Sequence, residues 1–129
     1  MRFMMLMIPK GYETAAPGTM PPADAVAAMM KYNEALKNAG VLITLDGLHP
    51  PSVGARVSFA SGKPVVTDGP FTEAKEVIGG YAQFELKSKE EAIEGAVRFM
   101  ELHKKYWPGW EGETEVRQMF GPEDFACKA

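Results

Sequence analysis

The order in which hydrophobic periodicity changes along this chain constrains its fold more than any single motif. Phe3 to Ile8 is apolar on both alternating faces, the pattern of a strand covered on both sides. Gly11 to Pro22 reads as a loop, and Pro21-Pro22-Ala23-Asp24 opens a helix, with proline near the first turn and an acid suited to the helix dipole. Val26, Met29, Met30 and Leu36 recur at helical spacing and Gly40 supplies the stop, so the methionines read as core filling. Val41 to Leu45 is a second strand, which Asp46-Gly47 turns and Pro50-Pro51 keeps from simply continuing. Arg56 to Ala60 and Pro64 to Thr67, joined at Ser61-Gly62, predict a short hairpin, and Asp68-Gly69-Pro70 then breaks the pattern.

Ile78 to Leu86 alternates cleanly, with Ile78, Ala82, Phe84 and Leu86 on one face and Tyr81, Gln83 and Glu85 on the other. Ser88-Lys89-Glu90-Glu91 is a capping box that starts a second helix, predicted to bury Ile93, Ala96, Val97 and Met100 and to end at Trp107-Pro108-Gly109-Trp110. Thr114 to Met119 is a last strand. The chain is therefore α+β, a ferredoxin-like β-α-β-(hairpin)-β-α-β arrangement, and residues 1–129 suit a single domain. Two helices cover only one face of a four-stranded sheet. The other face predicts a two-fold homodimer, its sheets packed face to face around a cavity.

Charge narrows the partners. The net charge is −3, and the longest basic run is Lys104-Lys105, which argues against nucleic acid. The apolar start from Phe3 to Ile8 is shorter than a signal-peptide core and far short of the ~20 apolar residues of a membrane span, so no membrane partner is expected. The single cysteine, Cys127, has no internal partner and suits a reducing cytoplasm. His49 and His103 are far apart and show no metal-ligand spacing. No metal or organic cofactor is expected, and Gly79-Gly80 opens a strand rather than a phosphate-binding helix.

The chemistry-bearing stretch runs from Thr67 to Glu76, where ionisable and hydroxyl side chains crowd beside a glycine–proline turn. Backbone chemistry accounts for part of it: Asp68 can accept turn amides, Gly69 tolerates unusual φ, and Pro70 fixes its own. Asp68-Gly69-Pro70-Phe71, with Glu73, Lys75-Glu76 and Gly79-Gly80-Tyr81, resembles the signature of DGPF-motif proteins of the YciI-like group. Gly47-Leu48-His49-Pro50-Pro51 and Arg56-Val57 resemble the segment that precedes it there. Thr72 and Ala74 depart from the residues often found at those places, and the Gly11–Pro22 loop and Trp107–Gly112 segment are less typical.

The resemblance implies a dimeric α+β barrel. It implies ligand contacts from Gly69, Pro70, Phe71, Glu73, Lys75 and Glu76. Wider relatives resemble a dehydrochlorinase in which a His–Asp pair is implicated, and some DGPF domains are linked to extracytoplasmic-function sigma factors. His49, the only histidine near the motif, and Asp68, across the hairpin from it, form the corresponding candidate pair for acid–base work. Against this, the residues by themselves read His49 as a loop cap and Asp68 as a turn residue.

His103, beside Lys104 and Lys105, reads as a surface residue. Tyr12, Tyr106, Trp107 and Trp110 read as residues closing the end of the core or a dimer contact, with stacking on an aromatic ligand as the alternative. Two functions remain: a cofactor-independent enzyme acting on a small molecule by elimination or isomerisation, and a non-catalytic module that binds a metabolite or a regulatory protein.

Overall fold

A computed structural model describes residues 1–70 and 77–125. Four strands, β1 (Arg2–Pro9), β2 (Leu42–Gly47), β5 (Gly80–Glu85) and β6 (Gly112–Gln118), form one sheet in the order β2-β5-β1-β6, every neighbouring pair antiparallel. Helix α1 (Ala23–Asn38) packs on β2, and α2 (Lys89–Tyr106) packs on β1, β6 and α1. Both helices therefore lie on one face. The hairpin β3 (Ala55–Ala60) and β4 (Lys63–Asp68) is inserted between β2 and β5 as a separate two-stranded sheet. This is the α+β, ferredoxin-like order expected from the sequence.

The core follows the pairing register. Phe3 sits opposite Phe84 and Met5 opposite Ala82 on the helix-covered face, joined there by Leu42, Leu86, Ala92 and Ala96. The open face presents Met4, Leu6 and Ile8 down the middle strand, with Tyr81 and Gln83 beside them on β5 and Glu113, Glu115 and Arg117 on β6. Strand β1 is central and β6 is an edge, so the apolar strip is flanked by charge at that side.

Local chemistry sets the element ends. The Val41 amide reaches the Leu36 carbonyl and the Gly40 amide the Lys37 carbonyl, with Gly40 at φ 75°, which closes α1 with a Schellman turn. Ser88 Oγ accepts the Glu91 amide at 3.2 Å, while Glu91 Oε2 accepts the Lys87 amide at 3.3 Å, so the box reaches one residue further back than its usual form. Ser61 and Gly62 both have positive φ (52° and 77°), the two-residue hairpin turn whose twist matches its strands.

Several sequence expectations are corrected. Asp46-Gly47 is not a turn: β2 runs through both, with Asp46 opposite Tyr81 and Gly47 opposite Gly80. Strand β5 starts at Gly80, and Ile78 is exposed while Val77 is buried, because the inward–outward phase shifts at Gly79. Met30 faces solvent, and Ala25 is the residue of α1 that is fully buried.

The largest correction concerns α2. Ile93 and Val97 are 44% and 49% exposed, whereas Ala92, Ala96 and His103 are buried. The helix carries more apolar residues than one face can hold, and it turns its small ones to the sheet. Alanines allow close approach of helix to strand. The larger Ile93, Val97 and Met100 are left lining an open groove of about 1400 Å³ beside Val116, Ile8 and Trp110.

His103 is accordingly a core residue rather than a surface one. Its Nδ1–H donates to the Phe99 carbonyl at 2.9 Å, its ring meets Phe99 edge-on, and Trp110 lies over it with centroids 4.5 Å apart. Trp110 thus closes the end of the core, one of the roles read for it in the sequence. Burial holds the imidazole below the ordinary histidine range, against the smaller upward pull of the Phe99 carbonyl. The unfolded chain then takes up a proton below about pH 6.5 while the folded one stays neutral, so stability falls as pH drops through that point. Thermal unfolding between about pH 7 and pH 5 is expected to show a smaller loss of midpoint in His103→Leu than in the wild type. Equal losses in the two proteins would contradict the buried neutral imidazole.

Candidate functional site

Of the residues read as functional, His49, Asp68, Gly69 and Pro70 lie on segments that meet at one end of the sheet, where three segments are tied by hydrogen bonds to backbone carbonyls. The first is the 3-10 turn Tyr12–Thr14 that follows β1. The second is Leu48 to Gly54, containing a 3-10 turn over Pro51–Val53, and the third is Asp68-Gly69-Pro70, with a cis peptide between Gly69 and Pro70. Tyr12 OH donates to the Leu48 carbonyl at 2.5 Å, Ser52 Oγ donates to the Ala15 carbonyl at 3.3 Å, and the Leu48 amide donates to the Gly79 carbonyl at 2.9 Å. The Gly79 amide in turn donates to the Met7 carbonyl at 2.8 Å, which anchors the cluster to the central strand.

Gly69 is the residue on which the third segment docks. Its amide donates to the Gly54 carbonyl at 2.8 Å, and a Cβ at this position would overlap the Pro51 carbonyl oxygen. Only a glycine lets the strand end come this close. Ala55, the next residue after Gly54, lies opposite Asp68 in the hairpin register. The loop that carries His49 and the strand end that carries Asp68 are therefore held against the same turn.

His49 and Asp68 are both exposed, and neither side chain makes a hydrogen bond or ion pair with another described residue. Pro50, between His49 and the turn, is fully buried and pins the loop. Pro70 is exposed. Phe71, Glu73, Lys75 and Glu76 lie outside the described residues. Among the described residues, no group of three or more His, Cys, Asp or Glu side chains could hold a metal ion, and no helix is long and apolar enough to cross a membrane.

Sequence reading missed a polar cluster on the open face of the sheet. Tyr81 OH donates to Asp46 Oδ2 at 3.0 Å, and Thr44 Oγ1 donates to the same oxygen at 3.3 Å. The hydrogen bond and charge of Asp46 hold the Tyr81 hydroxyl above the usual phenol range. The cluster lies on the strand that leads directly into Leu48 and His49. Reading Asp46-Gly47 as a turn hid it; extending the alternation of Leu45 by one residue would have placed Asp46 beside Tyr81. Glu13 was missed too: in the first 3-10 turn its Oε2 is buried without a hydrogen-bond partner among the described residues. Tyr12 donates through its hydroxyl to the Leu48 carbonyl, and burial raises its pKa.

With the geometry in place, comparison with known proteins defines the class. The model of the YCII-related domain matches residues 1–99, and the chain belongs to that family. The match takes in β1 through most of α2, including all three segments of the cluster. It is also similar to an uncharacterized protein of Rhizobium meliloti (strain 1021), with 34% identity over 73 residues. That stretch is 57% of this chain and 56% of the relative, so the similarity spans little more than half the length of either.

The Gly69 contact makes a sharp prediction. Gly69→Ala is expected to destabilise the protein by roughly 2–4 kcal/mol, because backbone must move to relieve the overlap. Gly54→Ala, whose Cβ would meet the Pro51 oxygen at an ordinary 3.5 Å, is expected to cost under about 1 kcal/mol. Urea unfolding of both variants measures the difference, and equal costs would contradict the docking geometry.

Proposed function

We propose that this YCII-related domain works as a homodimer on a small organic molecule, as a cofactor-independent enzyme in which His49 and Asp68 carry the proton transfers of an elimination or isomerisation. The observation that supports this reading is the convergence of their two segments on the turn Pro51–Gly54. A proton-transfer pair needs two groups on supports that do not drift, and the Gly54–Gly69 hydrogen bond gives both the same support. Such a pair is of little use in bulk water. A second protomer over the open face would exclude solvent and strengthen each polar contact.

The exposure of both side chains in the single protomer favours a second reading, a module that binds a metabolite and turns nothing over. The sigma-factor linkage of some DGPF domains belongs with this alternative. Shape and polarity suffice for binding, whereas catalysis needs the pair itself.

The two readings separate in one experiment. A library of small aromatic acids and lactones is screened by NMR against the full chain, and each hit is followed for turnover. The enzyme reading predicts shift changes at residues 48–54 and 68–70, product formation, and loss of product in both His49→Ala and Asp68→Asn, with binding weakened no more than about tenfold. Hits that map to the cluster but stay unchanged support the binding module. Hits converted equally well by both variants would overturn the assignment of the pair.

A further inference from the structure

Strand β6 is an outer strand of the sheet, and among the described residues no strand lies along its far edge. The Lys10 amide donates to the Glu111 carbonyl at 3.0 Å and the Met119 amide to the Arg2 carbonyl at 2.8 Å, so the odd-numbered residues of β6 bond to β1. The N–H and C=O groups of Thr114, Val116 and Gln118 therefore point outward from the sheet. An edge of this kind is a template for another strand. Apolar surface borders it: Val116 lies opposite Met5 on the helix-covered face, and Ile93, Val97 and Met100 of α2 line the groove beside it.

We propose that β6 pairs antiparallel with β6 of a second copy of the chain, across a two-fold axis at Val116, so that two four-stranded sheets join edge to edge. This interface leaves the open face untouched. It stands separately from a dimer over that face and from the roles given to His49 and Asp68.

Charge selects a second copy as the occupant and sets the register. The outward side chains of β6 run Glu113, Glu115, Arg117, and within one chain Glu115 and Arg117 approach only to 3.9 Å on exposed side chains. With the axis at Val116, Glu115 lies opposite the partner's Arg117, and Arg117 opposite the partner's Glu115. An axis at Glu115 would set that carboxylate against its own copy, and one at Thr114 would set Glu113 against the partner's Glu115. Opposite charges across a strand pair stabilise it and like charges destabilise it. The chosen register also uses the outward backbone groups: Val116 bonds to its own copy, and Thr114 exchanges bonds with the partner's Gln118.

The same rotation fills the groove. A Cβ on Gly95 would sit 3.4 Å from Met5 Cε, and Met5 lies opposite Val116, so the α2 turn from Ile93 to Val97 stands level with the axis. The two copies of α2 then run antiparallel above the joined strands. Their Ile93 and Val97 side chains, exposed in the single protomer, meet across the axis and cover one another.

Sedimentation velocity over a micromolar concentration range compares the wild type, Glu115→Arg, Arg117→Glu and an equimolar mixture of the two variants. Both side chains are exposed, so each variant is expected to keep the wild-type circular dichroism. Each variant alone sets like charges opposite at two places, and its edge association is expected to weaken at least about tenfold. In the mixture the arginines of one chain face the glutamates of the other, and association is expected to return. A mixture no more associated than its components, or variants that assemble as tightly as the wild type, would overturn the edge pairing and leave the open-face dimer standing. A monomeric wild type would overturn both interfaces. Val116→Cys in a Cys127→Ser chain gives a second readout on the side of the sheet away from the open face. Under mild oxidation it is expected to link to its own copy, because paired strands bring the two Cα atoms within disulfide range, while Lys31→Cys on α1 in the same background stays unlinked. Linking of both variants to the same extent would mean random collision and would contradict the axis at Val116.

Discussion

Gly69 resting on the Pro51 carbonyl is the contact on which the rest of this account depends. Without it no other backbone hydrogen bond among the described residues would fasten the hairpin root to the turn at Pro51, and His49 and Asp68 would be residues on unrelated segments. With it, the Gly54–Gly69 hydrogen bond and the missing Cβ fasten the hairpin root to the 3-10 turn at Pro51. That turn is joined through Leu48 to Gly79, and through Gly79 to Met7 on the central strand. Rigidity passes from the sheet core to the candidate site through main-chain hydrogen bonds, which do not depend on the rotamers of exposed side chains.

A second constraint is the number of layers. Two helices of 16 and 18 residues cover one face of the four-stranded sheet and leave the other open. On the covered side, α2 settles through Ala92 and Ala96 and abandons Ile93 and Val97 to the groove beside β6. On the open side, polar pairing and an apolar strip lie next to each other: Asp46 holds Tyr81 and Thr44, while Met4 and Leu6 run alongside. A surface of this kind can stay in water, and it also offers a floor for a second layer.

The order of elements was legible because each one carried a strong local signal. The capping box at Ser88, the hairpin turn at Ser61-Gly62 and the alternation around Ala82 and Phe84 depend on neighbours within a few residues. What sequence could not resolve depended on choices between nearly equivalent packings. One residue of rotation decides whether α2 buries Ala96 or Val97, and hydrophobicity alone favours the wrong one. His103 is flanked by two lysines, yet the helix turns it inward under Trp110, where no sequence neighbour announces it. For the site, the motif drew attention to Asp68 and Gly69, but the fact that makes them useful is a contact with Pro51, eighteen positions upstream of Gly69 and unrelated to it by any periodicity.

Amide hydrogen exchange at Gly69, Leu48 and Gly79 measures the junction itself. These three amides donate the bonds that run from the hairpin root to the central strand. The account predicts that they open only with the sheet, with protection comparable to the amides of β5. Exchange of Gly69 at the rate of an unstructured loop, while β5 stays protected, would mean that the hairpin swings free of the turn and that His49 and Asp68 share no common support.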